Sequence, residues 1–122
     1  MKQREELKVH LYSTNDDVRR TVYTAMGIAL VKHKLDLVSR RAMVDNLANS
    51  LLIEPSAIHA AAEKYLSYTN TITNDLHSVK RVTGWHVIGT VGHYTDDDLD
   101  MLETHKEAFN AGYQYVAKSC SQ

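Results

Sequence analysis

The chain has 122 residues, of which 43% are hydrophobic and 24% charged, and its formal net charge is −1. The length is that of one ordinary domain, and the composition excludes an intrinsically disordered chain. The small net charge excludes a strong overall basic field for nucleic acid. Because only one proline and five glycines supply turns, we expect a mainly helical single domain over residues 1–122.

Cysteine usage and the first residues bear on the compartment. Cys120 is the only cysteine, which excludes an internal disulfide framework and a cysteine-rich zinc site. The charged first residues have no apolar run behind them, so we expect no signal peptide. No stretch approaches the roughly 18 apolar residues of a transmembrane helix. These features together predict a cytoplasmic protein that does not enter a membrane.

The first element, over residues 3–12, has two interpretations. Leu7, Val9 and Leu11 alternate with polar residues, which is the period of a half-buried strand. The same residues could instead begin a helix. We favour the strand, so the predicted fold class is mainly α with a small β element.

Three helices are predicted next. Apolar residues at helical spacing indicate an amphipathic helix over 16–34, capped by Ser13 or Thr14. Ser39 is the expected cap of a second helix. Pro55 suits the first turn of a third helix, which we expect to end near residue 68.

The later part of the chain is predicted to be more mixed. Residues 69–78 are expected to form a loop or an irregular strand. Residues 79–91 combine β-branched residues with glycines, which favours a hairpin. Thr95 precedes three aspartates, a typical start for a helix. That helix is predicted as one long element from about residue 96 to 118.

Residues 44–63 carry the one motif with a mechanistic interpretation. A helix-turn-helix needs a small residue at its fifth position and apolar residues where its two helices touch. Ala48 takes the fifth position, and the fourth, eighth, tenth and fifteenth positions hold Leu47, Leu51, Ile53 and Ile58. The stretch therefore resembles the helix-turn-helix of DNA-binding regulators, and the hairpin resembles a wing. Leu52 stands where glycine is usual, so it would need a left-handed conformation or a different turn.

The resemblance implies a small DNA-binding transcriptional regulator, of a size compatible with a phage or other mobile element and hence with the host cytoplasm. It assigns double-stranded DNA as the partner. The residues expected to approach bases are Ser56, His59 and Lys64. Those expected to hold phosphates are Arg40, Arg41, Lys80 and Arg81.

The last helix has two possible uses in this interpretation, in which residues 1–95 form the helix-turn-helix core. Residues 96–120 could pair two subunits of a homodimer, or pack on their own domain. The apolar residues that would form the dimer contact are Leu99, Leu102, Phe109, Tyr113 and Val116.

The alternative function belongs to a different class. The chain could be a small protein-interaction module, an inhibitor or adaptor, that uses its aromatic and acidic C-terminal half. Aromatic residues are favoured anchors at such interfaces. The candidates are Trp85, Tyr94, His105, Tyr113 and Tyr115.

Catalytic and metal-binding chemistry finds little support. His86, His93 and His105 lie in sequence near the aspartates of residues 96–100 but lack the spacing of a zinc site. The aspartates are explained as a complement to a helix dipole. Cys120 and the serines have no nucleophile motif around them. We therefore expect no enzyme, no cofactor and no metal.

Overall fold

The computed structural model describes the backbone of residues 2–74, 81–83, 86–88 and 96–120, and the side chains of residues 4–67 and 97–120. The helices in these ranges are α1 (Lys2–Leu11), α2 (Asp16–Lys32), α3 (Leu37–Leu51), α4 (Pro55–Asn74), α5 (Asp96–Thr104) and α6 (Lys106–Cys120). The strands are β1 (Arg81–Thr83) and β2 (His86–Ile88). The predicted mainly helical class is confirmed. Among the described helices, none has the length and apolar character needed to cross a bilayer.

The first element is a helix, so the predicted strand is wrong. Leu7 and Leu11 are 0% and 3% exposed, whereas Val9 between them is 71% exposed. Residues four apart share a helix face, and a residue two positions along points elsewhere. The alternating apolar residues therefore include a pair on one helix face, Leu7 and Leu11. Helix α1 packs this pair into the core that it forms with α2 and α6.

Helices α2 and α3 begin at caps other than those predicted. The side chain of Asn15 caps α2 by accepting the backbone N–H of Asp17 at 2.9 Å. The side chain of Asp36 caps α3 by accepting the backbone N–H of Ser39 at 2.7 Å. Asn and Asp are as good N-caps as Ser or better, so neighbouring candidates could not be ranked from the sequence.

Helix α2 lies at the centre, between α4 and α6. A Cβ atom placed on Gly27 would lie 2.5 Å from the backbone nitrogen of Ala62, so α2 and α4 cross with their backbones in close approach. A Cβ atom on Gly112 of α6 would lie 3.0 Å from the carbonyl oxygen of Val22 in α2. These two crossings place the core on both sides of α2.

Residues 69–91 are predicted to form a loop or irregular strand and then a hairpin, and the structure describes part of this stretch. Helix α4 reaches Asn74, so the predicted loop is wrong over residues 69–74, while residues 75–78 lie outside the described part. Strands β1 and β2 pair antiparallel with Val82 opposite Val87. This short ladder covers only part of the predicted hairpin and does not support the predicted wing.

The predicted last helix is two helices that meet at His105. The backbone N–H of His105 donates to the carbonyl of Met101, and that of Phe109 donates to the carbonyl of His105, each at 3.0 Å. Hydrogen bonds between residues four apart therefore continue through the junction at His105. Leu102 of α5 and Phe109 of α6 lie in one buried cluster with residues of α2 and α4, so both helices serve the same core.

Candidate functional site

Helices α3 and α4 meet in a short turn, residues 52–54, at the corner predicted from the sequence. Leu52 has φ 58° and ψ 52°, the left-handed conformation. The backbone N–H groups of Leu52 and Ile53 both donate to the carbonyl of Ala48, the latter at 3.1 Å. Such bonds satisfy carbonyls that a helix end leaves unpaired. The left-handed conformation costs a non-glycine residue about 1–2 kcal/mol, so the turn is held against local strain.

The inner positions of this corner are packed as the motif requires. Leu47, Ala48, Leu51 and Ile58 are buried, and Ile53 packs partly buried against the same core. Any tight corner between two helices of a small bundle needs such packing. The packing is therefore that of a tight corner between two helices, and the resemblance to a helix-turn-helix stays a prediction.

The outer side of α4 is open to solvent. Ser56, Ala60, Glu63 and Lys64 are exposed, and His59 is half-buried. The helix is therefore solvent-exposed on the side where the predicted base contacts would lie, although Lys64 on this side pairs with Asp98.

Of the predicted phosphate contacts, Arg40 is not available to a phosphate, because its side chain is buried in the protein. Its side chain is 8% exposed, and its Nη2 lies 3.0 Å from Oε2 of Glu63. A buried guanidinium that already binds a carboxylate is not presented to a phosphate. Arg41 is exposed. Lys80 and the side chain of Arg81 lie outside the described residues.

Lys64 is also engaged within the protein. Its Nζ lies 3.2 Å from Oδ2 of Asp98 in α5, and Oδ1 of the same carboxylate lies 3.6 Å from Nη2 of Arg20 in α2. This carboxylate therefore links three helices. Residues 36–67 contain three Lys/Arg against four Asp/Glu, so the corner carries no excess of positive charge for DNA.

The residues predicted for dimerisation pack inside their own domain. Leu102, Phe109 and Val116 are 0–1% exposed, and Leu99 and Tyr113 are partly buried against the same clusters. The rings of Phe109 and Tyr113 stack with centroids 6.1 Å apart, and burial raises the pKa of the Tyr113 hydroxyl. The apolar stripe is thus buried without a second subunit. This is the alternative interpretation, in which the last helix packs on its own domain.

The described aromatic residues among those proposed for partner binding are likewise only partly exposed. Tyr113 and Tyr115 are half-buried against the core, and His105 is half-buried at the junction of α5 and α6. Trp85 and Tyr94 lie outside the described residues. The acidic side chains of this half, among them Asp97, Asp100, Glu103 and Glu107, are exposed.

An exposed apolar strip was missed in the sequence. It consists of Val9, Tyr12 and Leu52, whose exposures are 71%, 54% and 73%. The Tyr12 hydroxyl donates to the carbonyl of Leu51 at 2.7 Å, which fixes the end of α1 against the α3–α4 turn. Val9 lies one helical turn before Tyr12. The available signal was the helical pair Leu7 and Leu11, which would have placed Val9 on the outer side of α1.

Tyr23 of α2 lies close to this strip. Burial raises the pKa of the Tyr23 hydroxyl, the positive charge of Arg19 opposes that rise, and the nearby Glu54 and Tyr12 add to it. Both neighbours belong to the α1 end and the α3–α4 turn. The strip therefore lies over a packed junction of α1, α2 and the turn.

Two observations bear on the residues considered for metal binding and for nucleophilic chemistry. In the described part of the chain, no group of three or more His, Cys, Asp or Glu side chains could hold a metal ion. Burial raises the pKa of the Cys120 thiol, which favours the protonated and unreactive form. His86 and His93 have side chains outside the described residues.

The sequence matches no known family model, and neither the curated proteins nor the solved structures contain a significant match.

Proposed function

We propose that this chain is a non-catalytic protein-interaction module, an inhibitor or adaptor, that binds its partner through the exposed apolar strip of Val9, Tyr12 and Leu52. The observation that carries the proposal is Leu52. Its backbone is in a conformation that favours glycine, and its side chain is 73% exposed. Neither local backbone energetics nor burial in the core explains a leucine there, whereas contact with a partner would.

The arrangement of the strip supports the same function. Single exposed apolar residues are ordinary on protein surfaces. Here the hydrogen bond from the Tyr12 hydroxyl to the Leu51 carbonyl holds an aromatic side chain at the peptide bond that precedes the exposed Leu52. Rigid aromatic and aliphatic side chains that meet a partner's pocket supply most of the binding energy at protein interfaces. Tyr12 offers such an anchor at a reduced ordering cost, because its hydroxyl is already held.

Capture experiments with matched variants test this proposal. The immobilised chain is incubated with a lysate of the cells that encode it, beside Val9→Lys, Leu52→Lys and Val38→Lys. Val38 is 78% exposed and lies at the other end of α3, about 20 Å from the turn. Lys34 already adopts φ 58°, so lysine is compatible with the backbone at Leu52. We expect one set of captured proteins to be lost with the first two variants and kept with the third.

A result in which all three variants capture the same proteins as the parent chain would contradict the proposal. Each variant is first checked by circular dichroism and thermal unfolding, so that a loss of fold is not read as a loss of binding.

The second candidate is the homodimeric DNA-binding regulator that the resemblance implies. The open outer side of α4, with Ser56 exposed and His59 half-buried, supports it. In this candidate Arg41, whose side chain is exposed, contacts a phosphate. Lys80 and Arg81 stay predicted phosphate contacts, because their side chains lie outside the described residues. The excess of acidic residues in 36–67 opposes it, which is why we place it second.

A salt titration with duplex DNA separates the two candidates. Binding through phosphates falls linearly in log K against log salt, and each lost phosphate contact lowers the slope by about one. If the chain regulates DNA, Arg41→Ala should reduce that slope. If no binding is measured even at low salt, the DNA candidate is excluded.

A further inference from the structure

Helices α1 and α6 form an open groove beside the strip. Its volume is about 560 Å³, and it is lined by Glu6, Val9, His10, Glu107, Asn110, Ala111 and Gln114. The residues from α1 are spaced i, i+3, i+4, and those from α6 are spaced i, i+3, i+4, i+7. These are the spacings of one face of each helix. Val9 belongs both to the groove and to the strip, so the two surfaces are continuous.

The charged groups of the groove are unbalanced. Glu6 and Glu107, one from each helix, are exposed. Within the described part of the chain, neither carboxylate forms an ion pair, and the lining residues include no lysine or arginine. The groove thus has an apolar centre at Val9 and Ala111 with a carboxylate contributed by each helix.

The groove has a limit along the helices. A neighbouring depression of about 370 Å³ shares His10 and Glu107 with it and adds Lys106, among other residues. A positive charge therefore appears at that end. The acidic stretch is confined to the part of the groove between Glu107 and Glu6.

We propose that this groove binds a basic amphipathic helix of a partner protein, an inference that rests on the proposed protein-interaction function. The apolar side of that helix contacts Val9 and Ala111, and lysine or arginine side chains beside it pair with Glu6 and Glu107. Two adjacent helices form a groove into which the side chains of a third helix pack. Helix α1 has 10 residues and so spans about 15 Å, enough for about three turns of a bound helix.

Charge complementarity favours this partner over a second copy of the chain docked through α2. The arginines that α2 presents are already engaged, Arg19 with Asp16 and Arg20 with Asp17 and Asp98. A second copy that docked through other exposed cations is the dimer outcome of the test below. The same carboxylates repel phosphates, which argues against a nucleic acid in this groove.

The test uses a synthetic peptide of 18 residues, with leucines along one face of a helix and lysines beside them. A second peptide keeps the leucines and replaces each lysine by glutamate. Affinities for the full chain are measured by fluorescence anisotropy at low and moderate salt, and backbone amide shifts locate the contact. We expect the basic peptide to bind, with shifts concentrated in α1 and α6, and the acidic peptide to bind at least tenfold more weakly.

Matched variants show whether the groove carboxylates are responsible. The double variant Glu6→Gln and Glu107→Gln should weaken binding of the basic peptide by about tenfold, since exposed ion pairs have modest effects. The double variant Asp45→Asn and Asp100→Asn removes the same charge from exposed sites elsewhere and should leave the affinity within about twofold. All of these positions are exposed, so the fold should survive.

Several results would overturn the groove proposal. They are failure of the basic peptide to bind at low salt, equal weakening by the two double variants, or amide shifts centred away from α1 and α6. A concentration-dependent dimer that the groove variants abolish would assign the groove to a second copy instead. If the strip variants lose captured proteins while the groove variants keep them, the protein-interaction function is supported and the basic helix is rejected as the partner.

Discussion

Gly27 in the middle of α2 and Leu52 in the α3–α4 turn are both poor local choices, in opposite senses. Glycine in a helix interior costs about 1 kcal/mol relative to alanine, and leucine in a left-handed turn is strained where glycine is not. At Gly27 the reason lies inside the protein, because a Cβ atom would meet the backbone of α4 at 2.5 Å. At Leu52 the exposed side chain gives no such reason. A locally unfavourable residue such as Gly27 is explained by packing within the fold. A residue such as Leu52, which packing does not explain, suggests contact with a partner.

The largest expected effect is on the free energy of unfolding and comes from a residue that, like Gly27 in this comparison, is buried in the core. Phe109 is 0% exposed and lies in the cluster where α2, α4, α5 and α6 meet. Phe109→Ala should lower the free energy of unfolding by about 3–5 kcal/mol, since it leaves a cavity. Urea unfolding measures the change, with Val38→Ala as an exposed control expected within about 0.5 kcal/mol of the parent chain. A loss below 1 kcal/mol for the Phe109 variant would show that this cluster is not the core.

The next largest effect tests the α2–α4 crossing itself. Gly27→Ala should destabilise by about 2 kcal/mol, because the overpacking exceeds the gain in helix propensity. Gly112→Ala is the matched control, since its Cβ would lie 3.0 Å from a carbonyl oxygen and 3.2 Å from a side chain. We expect that control to stay within about 1 kcal/mol of the parent chain. A Gly27→Ala variant more stable than the parent would remove the packing reason for glycine.

A smaller effect is expected at the Arg40–Glu63 pair. Glu63→Ala leaves a buried guanidinium without its carboxylate and should cost about 1–2 kcal/mol, less than a fully buried pair because Glu63 is largely exposed. Arg40→Met removes the buried charge and should cost less. Thermal unfolding compares the two. If Arg40→Met costs more than Glu63→Ala, the arginine has a further role in this corner.

The smallest effect is a pH dependence at the start of α3. The hydrogen bond from the Ser39 N–H holds the folded-state pKa of Asp36 below its ordinary value. The cap therefore stabilises the fold above about pH 4, near the unfolded-state pKa, and this stability is lost as pH falls through the folded-state pKa. Asp36→Ser keeps a cap that does not titrate. We expect the melting temperature of the parent chain to fall below that of this variant only in acid, and equal pH profiles would contradict the assignment.

Local chemistry allowed several features to be predicted from the sequence. The helical spacing of α2, the start of α4 at Pro55 and the two options for Leu52 all follow from neighbouring residues. The α1 helix was not predicted because three alternating apolar residues fit a strand and a helix equally well. Tertiary packing of Leu7 and Leu11 decided between the two.

The candidate surfaces were harder to predict, because they depend on contacts between distant residues. Arg40 pairs with a residue 23 positions away, and Tyr12 with one 39 positions away. Nothing in the sequence near Arg40 distinguishes it from the exposed Arg41. The groove likewise exists only because α1 and α6 pack together, so neither Glu6 nor Glu107 could be identified as its wall.

The most direct test of the outward role of Leu52 is to measure stability and partner capture together for Leu52→Gly. Glycine relieves the left-handed strain but adds freedom to the unfolded chain, so we expect a net gain of about 0.5 kcal/mol in the free energy of unfolding. We expect the same variant to lose the partners that the parent chain captures. A variant that is less stable than the parent, or that captures the same partners, would contradict the role proposed for this residue.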